Sequence, residues 1–142
     1  MRKSRLTLDG ASLTLDQLRQ FERERPAGEL ADAARARMRE SEATVVATVE
    51  SGRTAYGINT GFGAFANRVI PAQKTRKLQL NLVRSHACGV GEPLPAALVR
   101  RMLLLKANNL AAGFSGVRPL VVDTLLALLN ADVLPLIPAP GS

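Results

Sequence analysis

Tyr56-Gly57-Ile58-Asn59-Thr60-Gly61-Phe62-Gly63 interrupts the chain between two long helical patterns, and the rest of the sequence is read outward from it. Three glycines in eight residues free the backbone to take positive φ and to approach a ligand closely. Asn59 and Thr60 favour turns and can satisfy backbone groups locally. The stretch holds the only tyrosine in 142 residues. From local pattern two readings stay open: a connector with Tyr56 and Phe62 folded onto the core, or a loop that faces a ligand. A phosphate cradle is disfavoured, because a helical pattern precedes the loop and no Gly-Lys-Ser/Thr ends it.

On the amino-terminal side, Glu29 to Glu50 contains no glycine or proline. Leu30, Ala34, Met38, Val45, Val46 and Val49 recur near one helical face, which predicts one long helix. Upstream, Leu6-Thr7-Leu8 alternates as a strand does, Asp9-Gly10 is a turn signal, and Ser12-Leu13-Thr14 offers a return strand, so a small hairpin is expected. Thr14 then caps a short helix through Asp16, Leu18 and Phe21 that stops before Pro26-Ala27-Gly28.

Beyond the loop, Pro71 opens a helix with Leu78, Leu82 and Val83 as its buried stripe, His86 in its last turn and Gly89 past its end. Pro95 opens another, carrying Leu98, Val99, Met102, Leu103, Leu105 and Leu110, with Asn108 and Asn109 interrupting its apolar surface and Gly113 closing it. Pro119 starts a fifth through Val122, Leu125, Leu126, Leu128 and Leu129, apolar on so many sides that burial on more than one face is expected. The proline-rich tail from Val133 to Ser142 is extended and apolar. The predicted fold is all-α, one helical domain over residues 1–142 with a small β-hairpin near the amino terminus.

An apolar content of 46% suits a soluble globular domain. No stretch has the length of a membrane span and Met1-Arg2-Lys3-Ser4-Arg5 lacks the apolar run of a signal peptide, so a cytoplasmic location is expected. Cys88 has no second thiol to pair with and reads as a small buried side chain; no metal site is expected. A net charge of +7 invites nucleic acid as a partner. The arginines from Arg19 to Arg39 are interleaved with Asp16, Glu22, Glu24, Asp32 and Glu40, however, and only Lys74, Arg76 and Lys77 cluster, so no nucleic-acid partner is expected. Residues that packing does not require gather in three loops, around Tyr56, His86 and Ser115.

Those loops carry a resemblance. Tyr56 to Gly63, then Leu80-Asn81-Leu82-Val83-Arg84-Ser85-His86-Ala87-Cys88-Gly89-Val90-Gly91-Glu92-Pro93-Leu94, then Ser115-Gly116-Val117-Arg118-Pro119 closely resemble, in order and separation, the amino-terminal part of the histidine ammonia-lyase family. The resemblance covers nearly the whole chain. It implies a helical lyase, homotetrameric when complete, that eliminates ammonia from L-histidine to give trans-urocanate. It also implies a methylidene-imidazolone electrophile, built from an Ala-Ser-Gly tripeptide that in the family follows shortly after a segment like Pro140-Gly141-Ser142. The chain is therefore expected to be truncated just before that tripeptide. By the same resemblance Tyr56 is the base at the substrate β-carbon, and His86 and Gly63 lie against the substrate. A phenol acting as a base must be stabilised as its anion by the assembled site. Cys88 and Phe114 stand where the family pattern has alanine and tyrosine.

Two alternatives remain at this level: a tyrosine ammonia-lyase or aminomutase of the same superfamily, which Ser85-His86 mildly disfavours, and a non-catalytic assembly module with a basic surface. The apolar fifth helix leads to the expectation that the isolated chain self-associates through Leu125 to Leu129 and the adjoining tail. The isolated 142 residues are expected to make no urocanate and to lack the near-ultraviolet absorbance of the prosthetic group; turnover by the purified chain would refute this.

Overall fold

The computed structural model describes residues 4–61, 63 and 70–140. Expectations for Phe62, Gly141, Ser142 and the first three residues lie outside them. In chain order the elements are β1 (Arg5–Leu8), α1 (Leu15–Glu24), β2 (Ala27–Leu30), α2 (Asp32–Glu50), α3 (Ala72–His86), α4 (Ala96–Ala111) and α5 (Pro119–Asn130). The chain divides into two compact units, one of residues 1–42 with 93–137 and the other of residues 43–92 with 138–142. No helix among the described residues is long and apolar enough to cross a membrane.

The fold is helix-rich, as expected, but the hairpin is not formed. β1 pairs in parallel with β2, Arg5 opposite Ala27 and Leu8 opposite Leu30, with α1 as the crossover. Asp9-Gly10 does turn the chain, though toward a helix rather than a return strand. Asp9 Oδ1 accepts the amides of Ala11 and Ser12, each at 2.8 Å, and these bonds lower its pKa to about 2. Gly10 (φ 82°) donates its amide to Asn108 Oδ1 at 3.2 Å, and a Cβ there would lie 2.2 Å from the Ala112 amide nitrogen. Ser12-Leu13-Thr14 becomes the lead into α1. Thr14 Oγ1 accepts the Gln17 amide and Gln17 Oε1 accepts the Thr14 amide, a reciprocal cap. Pro26-Ala27-Gly28 opens β2 instead of merely ending a helix, so α2 begins at Asp32 rather than Glu29.

The first unit builds its core where the strand pair meets α4 and α5. Leu6, Leu8, Phe21, Leu30, Ala34, Met38, Leu104, Leu110, Val122, Leu126 and Leu129 form one buried cluster. Each large side chain in it contributes about 1.5–3 kcal/mol by leaving water. On α5 only Val122, Leu126 and Leu129, with Pro119, are buried, a single stripe at helical spacing. Leu120 is 59% exposed, so burial on several faces does not occur within this chain. Of the face named for self-association, Leu126 and Leu129 are internal, while Leu136 of the adjoining tail is exposed, as are Leu98, Met102 and Leu105. A groove of about 590 Å³ runs along Met102, Leu103, Leu105, Asn109 and Ile137.

Asn130, at the end of α5, accepts the Gly28 amide at 2.8 Å and donates to the Gly28 carbonyl at 3.0 Å, tying β2 to that helix as a neighbouring strand would. Arg35 of α2 makes two bonds of 2.7 Å to Asp123 of α5, and this guanidinium holds the Asp123 carboxyl below the usual carboxylate range. Asp123→Asn should lower stability in urea at neutral pH by about 0.5–1 kcal/mol. The folded-state pKa is depressed, so the contribution is present above the unfolded aspartate value and is lost as pH falls below it. Wild type and variant should therefore converge in acid; a gap independent of pH would contradict the assignment.

Candidate functional site

Tyr56, Gly63 and His86 all belong to the second unit. Tyr56 stands 67% exposed rather than folded onto the core. Its backbone is nonetheless fixed, because the turn around it is held by Asn59, which is itself 5% exposed. Asn59 Oδ1 accepts the Ala55 amide at 2.8 Å, and its Nδ2 donates to the Arg53 carbonyl at 2.7 Å. Thr60 is buried as well. Gly63 lies in the left-handed region (φ 56°) with open space beside its α-carbon.

His86 is the last residue of α3 and is exposed. Its Nδ1 lies 2.9 Å from the Leu82 carbonyl oxygen and 3.1 Å from Ser85 Oγ, and the Ser85 hydroxyl donates to that same carbonyl at 2.9 Å. A carbonyl oxygen can only accept, so this contact requires the ring hydrogen on Nδ1. Nε2 is then the nitrogen with the free lone pair in the neutral ring, able to accept a bond from a substrate N–H or O–H. The stripe expected on α3 is only partly sheltered: Leu78 and Leu82 are half-buried and Val83 is 67% exposed. Cys88 is exposed, not buried, and its thiol reaches the His86 carbonyl at 3.5 Å.

Sequence reasoning did not foresee what anchors the segment after His86. The Val90 amide donates to the Pro140 carbonyl and the Ala139 amide to the Glu92 carbonyl, both at 2.9 Å. Gly89 lies against Pro138, where a Cβ would stand 3.3 Å from the ring, and Gly91 (φ 84°) against Pro140, where it would stand 3.2 Å away. The available signal was the pairing of Gly-Val-Gly with Pro-Ala-Pro: glycines make room for proline rings, which need no amide partner of their own.

A family model described as aromatic amino acid lyase matches residues 13–142. The chain belongs to that family. It is 50% identical over 137 residues to a histidine ammonia-lyase of Anaeromyxobacter dehalogenans (strain 2CP-C), covering 96% of this chain and 27% of that protein. The crystal structure of histidine ammonia-lyase from Trypanosoma cruzi is similar with a TM-score of 0.85 and 42% identity, over 97% of this chain and 26% of that one. A tyrosine aminomutase from Streptomyces globisporus is similar with a TM-score of 0.87 and 32% identity, over 96% of this chain and 26% of that one. This member of the lyase family thus spans about a quarter of the length of the relatives it matches.

Within this lyase-family chain, the glycine at 91 is required twice, by its φ and by Pro140. Gly91→Ala should cost about 1 kcal/mol or more. It should appear as faster amide exchange at Val90 and Ala139, with exchange in β1 and α4 unchanged; unaltered protection would show that Pro140 does not depend on this contact.

Proposed function

We propose that this chain supplies the amino-terminal site residues of a histidine ammonia-lyase, which eliminates ammonia from L-histidine to give trans-urocanate. The observation that carries the reading is the similarity to proteins of that name over almost the entire chain. Identity is lower to the tyrosine aminomutase, which supports histidine over tyrosine as substrate, and family membership disfavours a purely non-catalytic module. In this reading Tyr56 removes the β-proton, His86 accepts a hydrogen bond from the substrate side chain through Nε2, and Gly63 leaves the backbone open to the substrate. The complete enzyme is a cytoplasmic homotetramer, and the 142 residues alone have no turnover.

Members of the family use a self-derived methylidene-imidazolone. No Ala-Ser-Gly occurs in these 142 residues, and the roles assigned here are confined to Tyr56, His86 and the backbone around them. The tail is nevertheless held in one respect: Ala139 and Pro140 are laced to the loop that follows His86.

In the complete protein, Tyr56→Phe should reduce kcat by about 10²-fold or more while KM changes little, because a base acts mainly in the transition state. His86→Leu should move preference from histidine toward an apolar aromatic amino acid. An unchanged kcat removes Tyr56 from the chemistry, and retained histidine preference makes His86 structural.

A further inference from the structure

Asn59 uses every polar group it has. Its side chain holds the Arg53 carbonyl and the Ala55 amide on either side of residue 54, its own amide donates to the Ala55 carbonyl at 3.2 Å, and its carbonyl accepts the Ile70 amide at 2.9 Å. The first three bonds fix the backbone that leads directly into Tyr56. The fourth reaches the residue before Pro71, the N-cap of the helix that ends in His86. One buried residue therefore connects the turn of Tyr56 with the start of the helix that carries His86.

Other residue types do not reproduce this. Only an amide offers an acceptor and a donor at the reach needed to bracket a peptide C=O and the N–H two residues on. Aspartate keeps the acceptor for Ala55 but turns a carboxylate oxygen toward the Arg53 carbonyl, and alanine leaves both backbone groups unpaired beside a buried position.

We propose that Asn59 is a positioning residue for catalysis: it sets the place of the Tyr56 phenol relative to the helix of His86, and so acts on the chemical step without touching substrate. The proposal rests on the reading of Tyr56 as the base. A misplacement of about 1 Å at a reacting group can cost on the order of 10²-fold in rate.

The test uses the complete lyase and three variants, Asn59→Ala, Asn59→Asp and Tyr56→Phe, with kinetics on histidine and hydrogen-exchange mass spectrometry of peptides spanning residues 53–61. Asn59→Ala should lower kcat by about tenfold or more with KM within about twofold, and should raise exchange at residues 53–59 while other regions stay protected. Asn59→Asp, which keeps the acceptor for Ala55 but sets a carboxylate oxygen against the Arg53 carbonyl, should lower kcat and raise exchange in the same segment. Added to Tyr56→Phe, Asn59→Ala should cause little further loss, since its effect runs through the phenol. Wild-type kcat in both Asn59 variants, or a full additional loss in the Tyr56→Phe background, overturns the proposal. Full turnover by Tyr56→Phe alone would instead sink the base reading, and the exchange data would still decide whether Asn59 holds the turn.

Discussion

A backbone N–H or C=O taken out of water must find a partner, and the chain meets that constraint at its irregular joints with asparagine amides. Asn130 stands in for a missing strand beside Gly28. Asn108 receives the amide of Gly10 where the chain turns away from β1. Asn59 closes the turn that leads to Tyr56. Each joins segments that regular hydrogen bonding cannot reach. An unpaired buried backbone group costs about 1–3 kcal/mol, so such a node makes its local geometry far harder to abandon than its exposure suggests.

The same constraint explains which parts of the fold were legible. Caps and proline starts are decided within a few residues: Thr14 with Gln17 and Pro119 at the start of α5 behave as their local chemistry dictates. Leu6-Thr7-Leu8-Asp9-Gly10 satisfies a hairpin signature equally well, and what overrules it is not local. Parallel pairing places Leu8 and Leu30 in the cluster with Phe21 and the buried stripes of α4 and α5. That gain depends on residues about a hundred positions away, which a strand pattern does not contain. Asn108, read only as a break in an apolar surface, is in fact part of what settles the turn.

Burial departs from the sequence pattern for a related reason. A helical stripe says which face is apolar and not what covers it. Val83 on α3, and Leu98, Met102 and Leu105 on α4, keep their faces while remaining open to water in this chain. Cys88 is small and apolar enough to be internal, yet just past the end of α3 it is exposed. Of the site, the glycine loop's composition correctly announced turns satisfied from within, whereas the lacing of Val90 and Glu92 to the tail joins segments nearly fifty residues apart and was invisible to pattern.

The site that results separates rigidity from contact. Tyr56 and His86 present exposed side chains: the backbone leading to Tyr56 is held through Asn59, and the His86 ring itself lies against the Leu82 carbonyl and the Ser85 hydroxyl. Glycine at positions 57, 61 and 63 would by itself make the first loop costly to order, because glycine loses more conformational freedom on folding than other residues. Four hydrogen bonds converging on Asn59, each contributing roughly 0.5–1.5 kcal/mol net, offset that cost at its upstream end. Around Tyr56 it is peptide groups that are fixed, while the side chain stays 67% exposed.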